Sequence, residues 1–439
     1  MRALLVAGVA LLGLSPAALG QTPPTFTAQF LGPSNHIHSM NESATVVGWV
    51  TSAGNTRAFV AGPNHPYELL PLPTGMVSST AEHINEAGVI VGAVGPSYSP
   101  EYYLQARAAK WTPDGQGGWT FSYLGLLPGH VASVATSLNN VGDIVGYSAN
   151  GMFRYPVLFT STGPVDLSAT GIFDPCDVND DRIVVDQSFT AKTLDLNTMM
   201  VEDLGIPEGS YLATRAEAIN NFGVIAGAAI LTTGTNCDHQ AARHENGAWE
   251  ILSNCGQYNS AYDINGLGDV IMQLNVAVWV DLAGLGAYRV EDLISNDVGH
   301  WFVINSYGNA VNGSRQIAVQ ATNPTTGQSG VILLTPEGGT VAAQPNGGDA
   351  PRFSVMPNPF QEMTTIRFDL SRGDQAKVTI HDVSGRLVRT LWDDNRSLGP
   401  ASISWDGRDE RARELPGGMY FARISTKAEV QTQKIIKLK

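Results

Sequence analysis

The chain has 439 residues, 15% of them charged and 47 of them glycine, with a formal net charge of −14. That charge is uneven: residues 1–350 carry 11 basic and 29 acidic side chains, whereas 351–439 carry 15 and 11. An acidic region whose lysines are Lys110 and Lys192 alone excludes nucleic acid as a partner, because phosphate binding needs clustered Lys and Arg.

The N-terminus opens with Met1-Arg2, continues as an apolar run from Ala3 to Leu14, breaks at Ser15-Pro16 and reaches Ala18-Leu19-Gly20 before Gln21. This is the pattern of a secretory signal peptide over residues 1–20. The run is shorter than the roughly 20 residues a bilayer requires, and no other segment is long and apolar enough to span one. Export places the three cysteines in an oxidising setting.

Beyond the signal peptide no stretch has a helical period, and abundant glycine suits short strands joined by turns. One unit recurs: an apolar residue, Asn, two variable residues, Gly, then an apolar strand. It is clearest at Ile84–Gly92, Leu138–Gly146 and Ile219–Gly227. Weaker copies begin at Met40, Val178, Ile264 and Val311, with Ala44, Arg182, Gly268 and Arg315 at the Gly position. The turn residues are Asn41, Asn85, Asn139, Asn179, Asn220, Asn265 and Asn312, spaced 44, 54, 40, 41, 45 and 47 residues apart. Two further strand signals lie between successive turns, so each unit supplies the four strands of a propeller blade. The last unit stops one strand short, and Phe26–Gly32 is placed to complete it and close a seven-bladed ring over residues 21–340.

These units resemble the extracellular repeats of the HAF family, in which an Asn-x-x-Gly turn alternates with Val-Val-Gly and Ala-Phe-x-Trp strands. The resemblance covers about residues 26–336 and implies an exported repeat protein without a settled activity.

Within the array, Cys237 and Cys255 flank the turn Glu245-Asn246-Gly247, and a paired hairpin there brings them within bridging distance. They are the expected disulfide, leaving Cys176 as a buried small side chain. The seven asparagines are read as structural, since Asn and Gly are what tight turns demand. His36 and His38 share one side of a strand and His83 precedes Asn85; Asp174, Asp177, Asp180 and Asp181 form an acidic cluster. Neither set has the spacing of a metal site, so the histidines read as satisfied polar residues and the cluster as a solvated turn. Tryptophans 49, 111, 119, 249, 279 and 301 are a candidate sugar-binding set, although Trp111 and Trp279 occupy a core strand position.

Residues 341–352 have the polar, Gly- and Pro-bearing composition of a linker. From 353 to 439 several short alternating strands indicate an immunoglobulin-like sandwich. Its motifs are Pro357-Asn358-Pro359-Phe360, Asp382-Val383-Ser384-Gly385, Trp405-Asp406-Gly407 and Leu415-Pro416-Gly417-Gly418. In this order they resemble the C-terminal domain of type IX secretion cargo and the similar module of flagellar hook-capping proteins. The first resemblance implies sorting across a Gram-negative outer membrane, with the secretion machinery as partner.

No zinc-protease, Ser-hydrolase, P-loop or paired-Cys motif occurs. The expectation is an all-β chain, a seven-bladed β-propeller followed by an immunoglobulin-like β-sandwich, at the cell surface or secreted. It acts as a binding platform for a surface glycan or protein, without cofactor or metal. The alternative is a hydrolase or lyase of extracellular polysaccharide or peptide, betrayed by carboxylates or histidines converging on the central channel.

Overall fold

The computed structural model describes residues 23–337 except 97–104, 233–237, 257, 284, 296–300 and 305–307, and residues 353–438 except 357–359, 362, 371–375, 384, 395–398, 412 and 426–429. The signal peptide, the linker and Cys237 lie outside the described residues. The chain divides into two units, Met1–Ala342 and Ala343–Lys439.

In the first unit each turn asparagine lies in the bend that ends the first strand of an antiparallel sheet. The Asn41 sheet pairs His36–Met40, Val46–Ser52, Asn55–Gly62 and His65–Leu69 in sequence order. The Asn85, Asn139, Asn179, Asn220 and Asn265 sheets repeat this four-stranded meander over Ser78–Tyr123, Ala132–Asp166, Pro175–Asp203, Tyr211–Ile251 and Ser260–Arg289. The Asn312 sheet contains Ala310–Val311, Ile317–Asn323 and Gln328–Pro336, to which the N-terminal strand Phe26–Gly32 adds antiparallel, Phe26 opposite Pro336. It also takes up the short strand Phe302–Val303.

Apolar residues cover both faces of these strands, so each sheet shares a core with the next. Val47 and Val60 pack on Ala81, Ile90 and fully buried Trp111, and Val91 and Ala108 pack on Leu138 and Val157. The pattern continues to Ala318 and Val331, which pack on Ile37 and Phe59 of the Asn41 sheet. The first strands touch their neighbours in the same cyclic order, Ala310–Val311 meeting His36–Met40. The unit is therefore a propeller, with first strands around the axis. Burying its Val, Ile and Phe side chains contributes about 1.5–3 kcal/mol each before chain entropy is counted.

Five of the first strands from His36–Met40 to Tyr211–Ile219, and Ser260–Ile264, carry a β-bulge two or three residues before the asparagine. Opposite four of these bulges stands Gly48, Gly92, Gly146 or Gly227. A Cβ there would fall about 2 Å from a first-strand carbonyl oxygen, 2.1 Å from that of Thr80 in the case of Gly92. The glycine of the Val-Val-Gly strand is thus a close-approach residue.

The second unit has a three-stranded sheet, Phe353–Met356, Thr364–Leu370 and Gly399–Trp405. Its four-stranded sheet runs in the order Leu387–Asp394, Ala376–Asp382, Gly418–Ser425 and Val430–Lys437. One core joins both, with Ile366, Phe368 and Trp405 from the first meeting Val378, Ile380, Ala422 and Ile435 from the second. Gly407 has a φ of 69° in the Trp-Asp-Gly turn, and a Cβ on it would lie 2.4 Å from Lys437 Cε.

Candidate functional site

The seven turn asparagines are all buried, and each does two jobs. Its side-chain oxygen accepts the amide four residues on, at 2.8 to 3.0 Å, which holds the turn. Its side-chain amide donates to the main-chain carbonyl of the next sheet's asparagine, at 2.7 to 3.4 Å, Asn312 reaching back to Asn41. A second partial circle lies beside it: the amides of Gly313, Glu42, Glu86, Asn140 and Asp180 donate to the side chains of Glu42, Glu86, Asn140, Asp180 and Asn221.

The Gly position of the repeat has positive φ in every unit, including 58° at Ala44, 67° at Arg182 and 59° at Arg315. The two arginines have a reason to be there. Arg182 Nε donates to Asp143 at 2.9 Å, and fully buried Arg315 Nε donates to Asp269 at 3.0 Å, each pair bridging adjacent sheets.

The polar groups on the axis come from the bulges, which turn side chains out of strict alternation. The residue three before the asparagine is His38, Glu82, Thr136, Cys176, Glu217, Tyr262 or Asn309, polar or ionisable in every unit. His38 Nδ1 lies 3.0 Å from Glu82 Oε2, and the His36 ring stands 4.5 Å from that of His38. One residue on, His83 Nε2 is 3.7 Å from Asp177 Oδ1, which accepts the Ser137 hydroxyl at 2.7 Å; Oδ2 accepts the Ile219 amide. Asp263 accepts the amides of Ile264 and Val311. Carboxylates and histidines of five different sheets thus converge on the axis.

Their titration follows from burial. Burial, reinforced by His38, pushes His36 down to about 3, and burial lowers His83 despite Asp177. Burial works to raise Glu82, but His38 and the hydrogen bonds from His38 and Thr80 outweigh it and hold the carboxyl below its ordinary value. Glu217 and Asp263 are each pushed up to about 7 by burial. For Glu217 this happens despite Arg215 and the hydrogen bond from Gln187, and for Asp263 despite its two amide donors.

The acidic cluster read as a solvated turn is not one. Asp174 pairs with Arg154 at 3.8 Å, Asp177 sits inside the axis, and Asp180 belongs to the circle of turn amides. First-strand geometry separates what sequence proximity grouped. The tryptophans do not assemble into one surface either: Trp111 is core, Trp49 stacks on His36, and Trp249 donates to the Leu204 carbonyl. Cys176 is a free thiol donating to the Ala216 carbonyl at 3.4 Å, and Cys255 is disulfide-bonded. Among the described residues no three His, Cys, Asp or Glu side chains are grouped as a metal site.

Sequence reasoning singled out His38 and Cys176 but missed that they share one bulge position with Glu82, Thr136, Glu217 and Tyr262. A signal was present, since the position three before the asparagine is polar in each unit while its neighbours are mostly apolar or small.

Residues 354–438 match the family model described as a secretion system C-terminal sorting domain. That domain directs the chain to the cell surface or to secretion and implies engagement of the type IX machinery. Among the described residues no helix is long and apolar enough to cross a membrane. No curated protein matches the chain significantly.

Similar solved structures include PorZ, a surface component of the type IX secretion system of Porphyromonas gingivalis (12% identity, TM-score 0.38, 92% of this chain and 65% of that one). Others are the extracellular domain of the putative hybrid two-component system BT3049 from B. thetaiotaomicron (9%, 0.40, 95% and 58%) and virginiamycin B lyase from Staphylococcus aureus (12%, 0.44, 71% and 99%). The chain spans less than two thirds of the PorZ and BT3049 chains. Likenesses this distant carry nothing about activity.

Proposed function

We propose that this chain is a surface-anchored or secreted binding platform. In this reading the seven sheets are the blades of a seven-bladed propeller of HAF-like repeats, and the C-terminal unit is an immunoglobulin-like sandwich that directs passage across the outer membrane. The observation that carries it is the match of residues 354–438 to the sorting domain. The cyclic chain of asparagine hydrogen bonds supports a rigid ring, a scaffold suited to presenting variable loops to a surface glycan or protein. Deleting residues 353–439 is expected to leave the protein in the periplasm, read by protease accessibility on intact cells. Surface display of the truncated chain would overturn the sorting role.

A second reading, a hydrolase or lyase of extracellular polysaccharide or peptide, is favoured by the His38–Glu82 and His83–Asp177 pairs on the axis. Such pairs suit general acid–base work. It is tested by whether Glu82→Gln abolishes an activity that Val141→Ser, at an exposed position of the Asn139 turn, leaves intact. The proposal includes a Cys237–Cys255 disulfide, a reading supported by the bonded state of Cys255 and the free thiol of Cys176.

A further inference from the structure

One outer strand of the propeller carries an aromatic strip that the packing of the sheets does not require. Trp119–Tyr123 is the fourth strand of the Asn85 sheet, and its alternate residues Trp119, Phe121 and Tyr123 share the face turned toward the Asn41 sheet. Phe121 meets the buried Trp111 ring edge-on at 5.7 Å, and Tyr123 meets Phe121 edge-on at 4.9 Å. Phe121 packs on the core shared by the two sheets, whereas Tyr123 is 49% exposed. Among the described residues no other fourth strand carries more than two aromatic residues, so the repeat itself does not demand the strip.

Nor is it needed to hold the sheets together. Trp111 already ties them, its Nε1 donating to the Pro71 carbonyl at 2.9 Å. Trp119 is held differently: its Nε1 donates to Glu68 Oε1 at 2.7 Å, on the facing fourth strand His65–Leu69. The His65 ring stands 6.0 Å from the indole, with Nε2 3.5 Å from the same carboxylate oxygen. One oxygen of Glu68 therefore fixes the indole. The other, Oε2, has no partner among the described residues, on a side chain that is 38% exposed and that no Lys or Arg neutralises.

We infer that this cleft between the outer strands of the Asn41 and Asn85 sheets binds a neutral glycan, with sugar rings laid on Trp119 and Tyr123 and hydroxyls donating to Glu68 Oε2. The inference rests on the platform reading and chooses a sugar as its ligand. A sugar ring presents C–H bonds on its faces and hydroxyls around its edge, which an aromatic surface beside a fixed, charged acceptor matches. Charge selects a neutral sugar: a uronic acid or a sulfated sugar would meet the Glu68 carboxylate with no Lys or Arg paired to it. A protein segment suits the cleft less well, because the centre of a protein interface is dry and depleted of carboxylates.

The test titrates the full-length chain by calorimetry with neutral hexasaccharides of glucose, mannose and xylose, and with hexagalacturonate as the anionic comparison. At least one neutral sugar is expected to bind saturably at millimolar concentration, and hexagalacturonate roughly tenfold or more weaker, a loss that corresponds to about 1.4 kcal/mol. Tyr123→Ala and Glu68→Ala should each weaken the neutral sugar by a similar factor, while Val141→Ser leaves it unchanged. Glu68→Gln keeps an oxygen acceptor but drops the charge, so the gap between the neutral and anionic sugars should narrow. Both side chains reach solvent, and unchanged thermal unfolding verifies that the variants fold.

No binding of any neutral hexasaccharide at millimolar concentration, tighter binding of hexagalacturonate, or insensitivity to the Tyr123 and Glu68 substitutions would overturn the inference. So would a peptide alternating Tyr and Ser that binds, and is lost in Tyr123→Ala, when the neutral sugars do not bind. The surface-display assay tests export separately. A displayed protein that ignores the neutral sugars therefore removes only the glycan inference.

Discussion

At the scale of single residues, burial without a sufficient counter-charge dominates the axis. Glu217 is the clearest case: Arg215 stands 3.4 Å away and Gln187 donates to it, yet its pKa rises to about 7 from 4.5. The sign follows directly. The native carboxyl holds its proton up to about 7 while the unfolded chain ionises near 4.5, so this contribution to stability is complete below 4.5 and is lost as the pH rises through 7. The loss is on the order of 3 kcal/mol. Glu217→Gln is therefore expected to leave stability near pH 4.5 almost unchanged and raise it at pH 8. Because Asp263 titrates in the same window, the wild-type decline should be roughly halved rather than abolished. Denaturant unfolding across that range checks this, and an unaltered slope in the variant would remove Glu217 as its source.

Strands and turns obey a tighter logic than composition suggests. The glycine of the Val-Val-Gly strand has a steric cause that only the structure shows. The bulge in the preceding strand drives a carbonyl against it, and a Cβ at Gly92 would lie 2.1 Å from the Thr80 oxygen. Gly92→Ala is expected to destabilise by about 1–3 kcal/mol, the usual cost of overpacking. A Tm equal to wild type would show that the strand shifts freely. The proposed bridge lends itself to the same measurement. A loop of this length closed by a disulfide contributes about 3 kcal/mol, so Cys255→Ser or added reductant should lower Tm, and a Tm indifferent to both would argue against the bridge. The Asn-x-x-Gly turns were legible because turn chemistry is local. What replaces Gly at Arg182 and Arg315 was not, because the reason lies on a neighbouring sheet, at Asp143 and Asp269.

For the whole molecule, the pairing that matters most joins the two ends of the repeat array. Phe26–Gly32 contributes Phe26 to the core shared by the Asn265 and Asn312 sheets and pairs along Gln328–Pro336, joining residues some 300 positions apart. Removing residues 23–32 should therefore do more than shorten the chain. It exposes an open sheet edge, and aggregation or a markedly lowered Tm is expected, followed by light scattering during thermal unfolding. A truncated chain that stays monomeric with an unchanged Tm would show that the strand is dispensable.

By itself the sequence determined the repeat, its turn chemistry, the all-β character and the motifs of the sorting domain, because each depends on short-range spacing or residue type. Only the tertiary structure decided which polar residues meet. Asp174, Asp177 and Asp180, neighbours in sequence, part company, whereas His83 and Asp177, on different sheets, come within 3.7 Å. A bulge turns each side chain by a local backbone irregularity, and cyclic packing then chooses its partners. Neither is written in the period of the strand.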